Sequence, residues 1–253
     1  MKKTVAFIIF ITLTLCGLLC GCNRGDSDKL TEKEYETIGV DHNQCLDNIF
    51  IALNKIKTKS DTPPSRKDAK KVIDSVTINY IMQEYDLDKE TTNLVLSHIT
   101  KTKGGSTDIG DFKDKDNLYP FYQNLAKIMD DDDEDLESLI SRILSLKLRA
   151  SVKLSEQEKE EFMPACSVAK NTLQYWYDNA EKWYVVSGQS SAGNTFSWKR
   201  LGKEDVKAAI AAATGEAVKT LVFGPVGWKA YLAACVGGAA ISSAYDAIEQ
   251  LWP

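Results

Sequence analysis

His42 lies between Asp41 and Asn43, with Asp47 five residues further on. An imidazole beside carboxylates is the pairing used by general bases and by metal sites. The spacing argues against both uses. Five residues along a helix turn Asp47 off the face of His42. The other histidine, His98, lies far along the chain in an apolar helical stretch, and no His-Glu-x-x-His pattern occurs. The segment reads instead as a helix start, with Asp41 or Asn43 as the cap and His42 hydrogen-bonded beside it. No catalytic residue, cofactor or metal is assigned, and the chain is expected not to be an enzyme.

Cys16, Cys20 and Cys22 fall within seven residues. They follow Lys2, Lys3 and an uncharged apolar run from Thr4 to Gly21. A basic end, an apolar middle and small residues at the end make a secretory leader. Leu19-Cys20-Gly21-Cys22 resembles a bacterial lipobox, and only Cys22 has a small residue before it and an aliphatic residue three before it. Residues 1–21 are therefore expected to leave as a lipoprotein signal peptide. Cys22 becomes the acylated first residue, since each buried methylene contributes about 0.8 kcal/mol to membrane attachment. The alternative is an uncleaved transmembrane anchor, for which the run is just long enough.

Loss of Lys2 and Lys3 takes the net charge from −5 to −7. That balance is poor for nucleic acid. Cys45, Cys166 and Cys235 remain, widely spaced and without a Cys-x-x-Cys pair. They read as three buried thiols; the alternative is one disulfide and a free thiol, which an exported protein permits.

Other groupings reduce to structure or charge. Asp130 to Asp135 holds no glycine, and Asp108, Asp111, Asp114 and Asp116 do not follow the calcium-loop pattern. Solvated charge, with the acidic run favoured at a helix start, is the expectation. Tyr175, Trp176, Tyr177, Trp183 and Tyr184 offer stacking faces for sugars, but Trp176 and Trp183 share a stripe with Leu173 and Ala180, so they read as core. Neither a Gly-x-Ser-x-Gly elbow nor a phosphate loop is present.

The elements that carry these residues are helical. Apolar residues recur at steps of three and four over 38–58, 65–85, 121–129 and 136–148. Asp61-Thr62-Pro63-Pro64 breaks the first pair, and Asp88 caps a short helix. Ser155-x-x-Glu158 is a capping box that opens the longest helix, with Pro164 kinking it or marking its true start. Asp205–Val222 and Trp228–Trp252 are rich in Ala and Gly, with small residues four apart, and Asp205 and Lys207 keep the first amphipathic. The expected architecture is all-α: a multi-helix bundle of seven or eight helices with a small-residue-rich C-terminal hairpin. The divisions are a tether at 22–37, a helical domain at 38–186, a linker at 187–202 and the hairpin at 203–253. Small-x-x-x-small spacing is also how membrane helices pack, so insertion of the hairpin is the alternative to a water-soluble one.

Gly39-x-x-His42-Asn43-x-x-Leu46-Asp47, together with the lipobox and the Gly/Ala-rich C-terminus, resembles a group of uncharacterised lipoproteins of Bacteroides-type bacteria. That resemblance marks Gly39, His42, Asn43 and Asp47 as a candidate functional motif and implies no activity. It implies an outer-membrane protein held by Cys22, on the periplasmic or the surface face. The expected function is a non-enzymatic binding or structural module of the envelope, with a protein partner. The alternative is a bacteriocin-like, membrane-active protein that works through its hairpin, whose small-residue stretch resembles hydrophobic bacteriocin-like segments.

Overall fold

The computed structural model describes residues 31–103, 117–131, 133–189, 196–214 and 227–252, without the side chains of 98, 100–103, 213 and 214. The leader, Cys22, most of the tether, the four spaced aspartates at 108–116, the side chain of His98 and the turn before Gly227 lie outside the described residues. What is described is all-α. Eight helices follow one another: α1 Glu32–Ser60, α2 Arg66–Glu84, α3 Lys89–Lys103, α4 Tyr119–Met129, α5 Leu136–Lys153, α6 Glu156–Ser187, α7 Trp198–Thr214 and α8 Gly227–Leu251. Residues 32–253 form one compact unit.

The helix ends follow from local chemistry. Ser65 accepts from the Asp68 amide at 3.2 Å, and Asp88 accepts from the Thr91 amide at 2.7 Å. Asp135 accepts from the Ser138 amide at 2.8 Å, so the acidic run supplies the cap of α5. Ser155 and Glu158 form the capping box of α6. Each cap satisfies an amide that the first turn leaves without an intrahelical partner. Gly188 ends α6 at φ 77°, a conformation that favours glycine, and an added Cβ would stand 2.7 Å from Pro63 Cγ.

Pro164 lies inside α6. It has no amide to donate to the Glu160 carbonyl. The Tyr231 hydroxyl of α8 donates there instead, and the Tyr122 hydroxyl of α4 donates to the Glu161 carbonyl at 3.3 Å. The proline thus becomes a point where two other helices dock.

α8 is the centre of the bundle. It packs against α1, α2, α3, α6 and α7. From Ala230 to Ile241 every residue is buried. Its small residues make this arrangement work: Gly237 faces Ile99, Ile81 and Thr77, while Gly238 faces Ala212. By length and composition α8 is able to cross a membrane, but most of its apolar surface is enclosed within the fold. α6 is the second axis, flanked by α1, α5 and α7. Trp176 and Trp183 fill its core side, with Trp176 Nε1 donating to Ser243 Oγ at 2.7 Å. Tyr177 alone of the aromatic group is exposed, edge-on to Trp198.

Several boundaries differ from the sequence expectation. Residues 32–37 belong to α1, not to a tether, because Tyr35 and Ile38 already bury against the bundle. Asp41 and Asn43 are therefore mid-helix and cap nothing. Residues 198–202 belong to α7, not to a linker, with Leu201 and Gly202 buried. The C-terminal helices α7 and α8 pack closely on each other, and α8 also packs against α1, α2, α3 and α6. Alanine and glycine let neighbours approach α8 from all sides, so a segment that looks separate by composition lies at the centre.

Candidate functional site

Gly39, His42 and Asn43 stand on the face of α1 that meets α6. Gly39 allows the approach. A Cβ there would fall 2.4 Å from the Ser167 carbonyl oxygen and 2.3 Å from Asn171 Nδ2, inside any tolerable contact. In the space so gained, the Gly39 amide donates to Ser167 Oγ at 3.1 Å, and that hydroxyl donates to the Glu36 carbonyl at 3.2 Å. One turn on, Asn43 Nδ2 donates to the Asn171 carbonyl at 3.0 Å. Leu46 is fully buried.

His42 is fully enclosed. Its Nδ1 lies 2.9 Å from Asn43 Oδ1. Asn43 Nδ2 faces a carbonyl, so its Oδ1 is the atom presented to the ring, and His42 Nδ1 must carry the proton. The opposite nitrogen, Nε2, is 3.4 Å from Asp205 Oδ2 on α7. This is a close approach of ring and carboxylate between α1 and α7. Thr172 of α6 donates its hydroxyl to the same Oδ2. His42 Nε2 and Asp205 Oδ1 have no hydrogen bond of their own.

Asp47 does not join this cluster. It is half-exposed, accepting from the Tyr175 hydroxyl at 3.3 Å, with Lys182 Nζ at 3.8 Å. Tyr175 also accepts from Trp183 Nε1 at 3.3 Å. Burial first, then the Asp47 charge, pushes its phenol above the usual range. Asp41 turns the other way and accepts from Tyr85 Oη at 2.7 Å, with burial raising its carboxyl. The candidate motif is thus split: Gly39, His42 and Asn43 form one buried seam, and Asp47 lies at its edge.

Asp205, Thr172, Asn171 and Ser167 complete the seam and were not singled out from sequence. By its charge Asp205 belongs on the polar face of its helix. It is instead fully buried. The available signal was its position four residues after Leu201 and four before Ala209, on the apolar stripe. Ser167, Asn171 and Tyr175 likewise recur every four residues along the core side of α6. Chemically, the seam holds hydrogen-bonding groups and one buried histidine–carboxylate approach across three helices. A substrate could meet His42 only if those helices parted.

The acidic corner has a mechanical role beyond solvation. Asp131 and Glu134 both reach Arg142, at 2.8 and 2.7 Å. Lys199 Nζ of α7 donates to the Asp131 and Glu134 carbonyls at 2.9 and 2.8 Å. The corner therefore ties the α4–α5 turn to α7. Among the described residues, no group of three or more His, Cys, Asp or Glu is placed to hold a metal ion. Cys45, Cys166 and Cys235 are free, buried thiols. Burial pushes Cys45 and Cys235 up to about 12, and Cys166 upward as well.

Compared with known protein families, with curated proteins and with solved structures, the chain matches none.

Proposed function

We propose that the chain is a lipid-anchored protein of the bacterial envelope whose helical body is a non-enzymatic binding or structural module. The observation that carries the reading is the lipobox-like Leu19-Cys20-Gly21-Cys22, placed ten residues before the first helix of the bundle. The body that follows supports it. Its His42–Asp205 pair is sealed between α1, α6 and α7, where it joins helices and meets no solvent. The resemblance of Gly39, His42, Asn43 and Asp47 to lipoproteins of Bacteroides-type bacteria agrees with an outer-membrane location. Fractionation of cells carrying wild type or Cys22→Ala tests the reading. Wild type is expected with the membranes and the variant without them. A variant that stays in the membrane would point to residues 4–21 as a transmembrane helix.

A second reading rests on α8, which is long and apolar enough to span a bilayer. In that reading the protein is membrane-active, and α7 and α8 leave the bundle to insert. Dye release from vesicles by the full chain tests it. The anchored-module reading expects no release, because extracting α8 would expose the core of the whole bundle.

A further inference from the structure

We propose that the outer face of α5 is a membrane-docking surface, seated on the same bilayer that holds the acylated Cys22; the proposal rests on the lipid-anchor reading. Leu139, Ile143, Leu146 and Ala150 face the bundle. The opposite side of this helix is also apolar. Leu144, Leu148 and Val152 recur every four residues and are 44, 68 and 80% exposed. Three large side chains in line on one outward face are more than scattered surface apolars. Small serines, Ser141 and Ser145, fill the rest of the stripe, and exposed Arg149 and Lys153 flank it. An apolar stripe edged with cations suits the boundary between headgroups and acyl chains, and anionic headgroups complement the two cations.

Position in the fold supplies the second argument. Lys147, beside Leu148, binds Glu32 at 2.5 Å and also pairs with Glu36. Glu32 is the first residue of α1, so α5 is fastened to the point where the chain runs back toward Cys22. Ten residues of chain reach at most about 35 Å. A tether that short holds α5 at roughly millimolar effective concentration near the bilayer, so a weak intrinsic affinity is enough to seat it.

The test uses the acylated full chain in vesicles of phosphatidylethanolamine and phosphatidylglycerol. A fluorophore is placed by Leu148→Cys, with Leu94→Cys on α3 as the comparison. Both sites are exposed, so the fold tolerates them, and the native thiols are buried and do not compete. Brominated lipid should quench the probe at 148 at least about twofold more than the probe at 94. Equal or absent quenching in protein that floats with the vesicles overturns the docking face and leaves the anchor standing. Cross-linking of 148 to 148 between copies, with no quenching, makes the face a self-association surface and also overturns it. Protein that does not float with the vesicles overturns the anchor, and the docking face with it.

Discussion

His42 Nε2 and Asp205 Oδ2 stand 3.4 Å apart with both side chains fully enclosed, joining the first helix of the bundle to the seventh. Thr172 of α6 closes the cluster by donating to the same oxygen. Removing one partner leaves the other buried without its complement. His42→Ala and Asp205→Ala should each lower stability by about 3 kcal/mol. The double variant should lose about 2 kcal/mol less than the two losses combined, because the groups share one interaction. Denaturant unfolding of the four proteins gives the coupling, and strictly additive losses would show that the pair does not act as a unit.

Gly39 should tolerate no side chain. A Cβ would meet the Ser167 carbonyl, which is backbone and cannot swing aside. Gly39→Ala is expected to cost about 1–3 kcal/mol through overpacking, despite alanine's higher helix propensity. Circular dichroism during urea unfolding reads this directly. A stabilised variant would mean that α1 and α6 lie farther apart than described.

The buried thiols give a test of the core. Cys45, Cys166 and Cys235 should resist an aromatic disulfide reagent at pH 8 in the native state, since burial both shields them and raises them. In denaturant all three should react. Rapid native labelling of Cys235 would contradict the central place of α8.

Glu36 makes the bundle sensitive to acid. Burial raises its carboxyl, but hydrogen bonds from Lys147 and Lys170 outweigh that and hold it below 4.5 in the fold. A carboxyl lowered on folding stabilises the fold above its unfolded value, and that contribution fades as pH falls through the folded one. Wild type should therefore exceed Glu36→Gln in stability at pH 6, with the gap narrowing toward pH 3. Melting curves across that range check the sign. A gap that widens in acid would reverse it.

The helices and some of their caps were legible because they depend on neighbours in sequence: Asp88, Ser155 and Glu158 each act within one turn. Asp41 and Asn43 resembled caps but lie inside α1, and the apolar steps over 136–148 include Leu144 and Leu148, which are exposed. The place of α8 was not legible. Alanine and glycine carry little amphipathic signal, so nothing in the run from Ala230 to Ile241 says that it is wrapped on every side. The seam was half-legible. Gly39, His42 and Asn43 stood out by type, but their partners Ser167, Asn171, Thr172 and Asp205 come from distant helices, and only packing brings them together. Asp205 misled because a charged residue on a helix is usually on its wet face.

The central claim is the lipid anchor at Cys22. Metabolic labelling with an alkyne-bearing fatty acid, followed by mass spectrometry of the N-terminal peptide, tests it most directly. A labelled chain that begins at Cys22 is expected, with no label in Cys22→Ala. An unlabelled chain that retains residues 1–21 would contradict it.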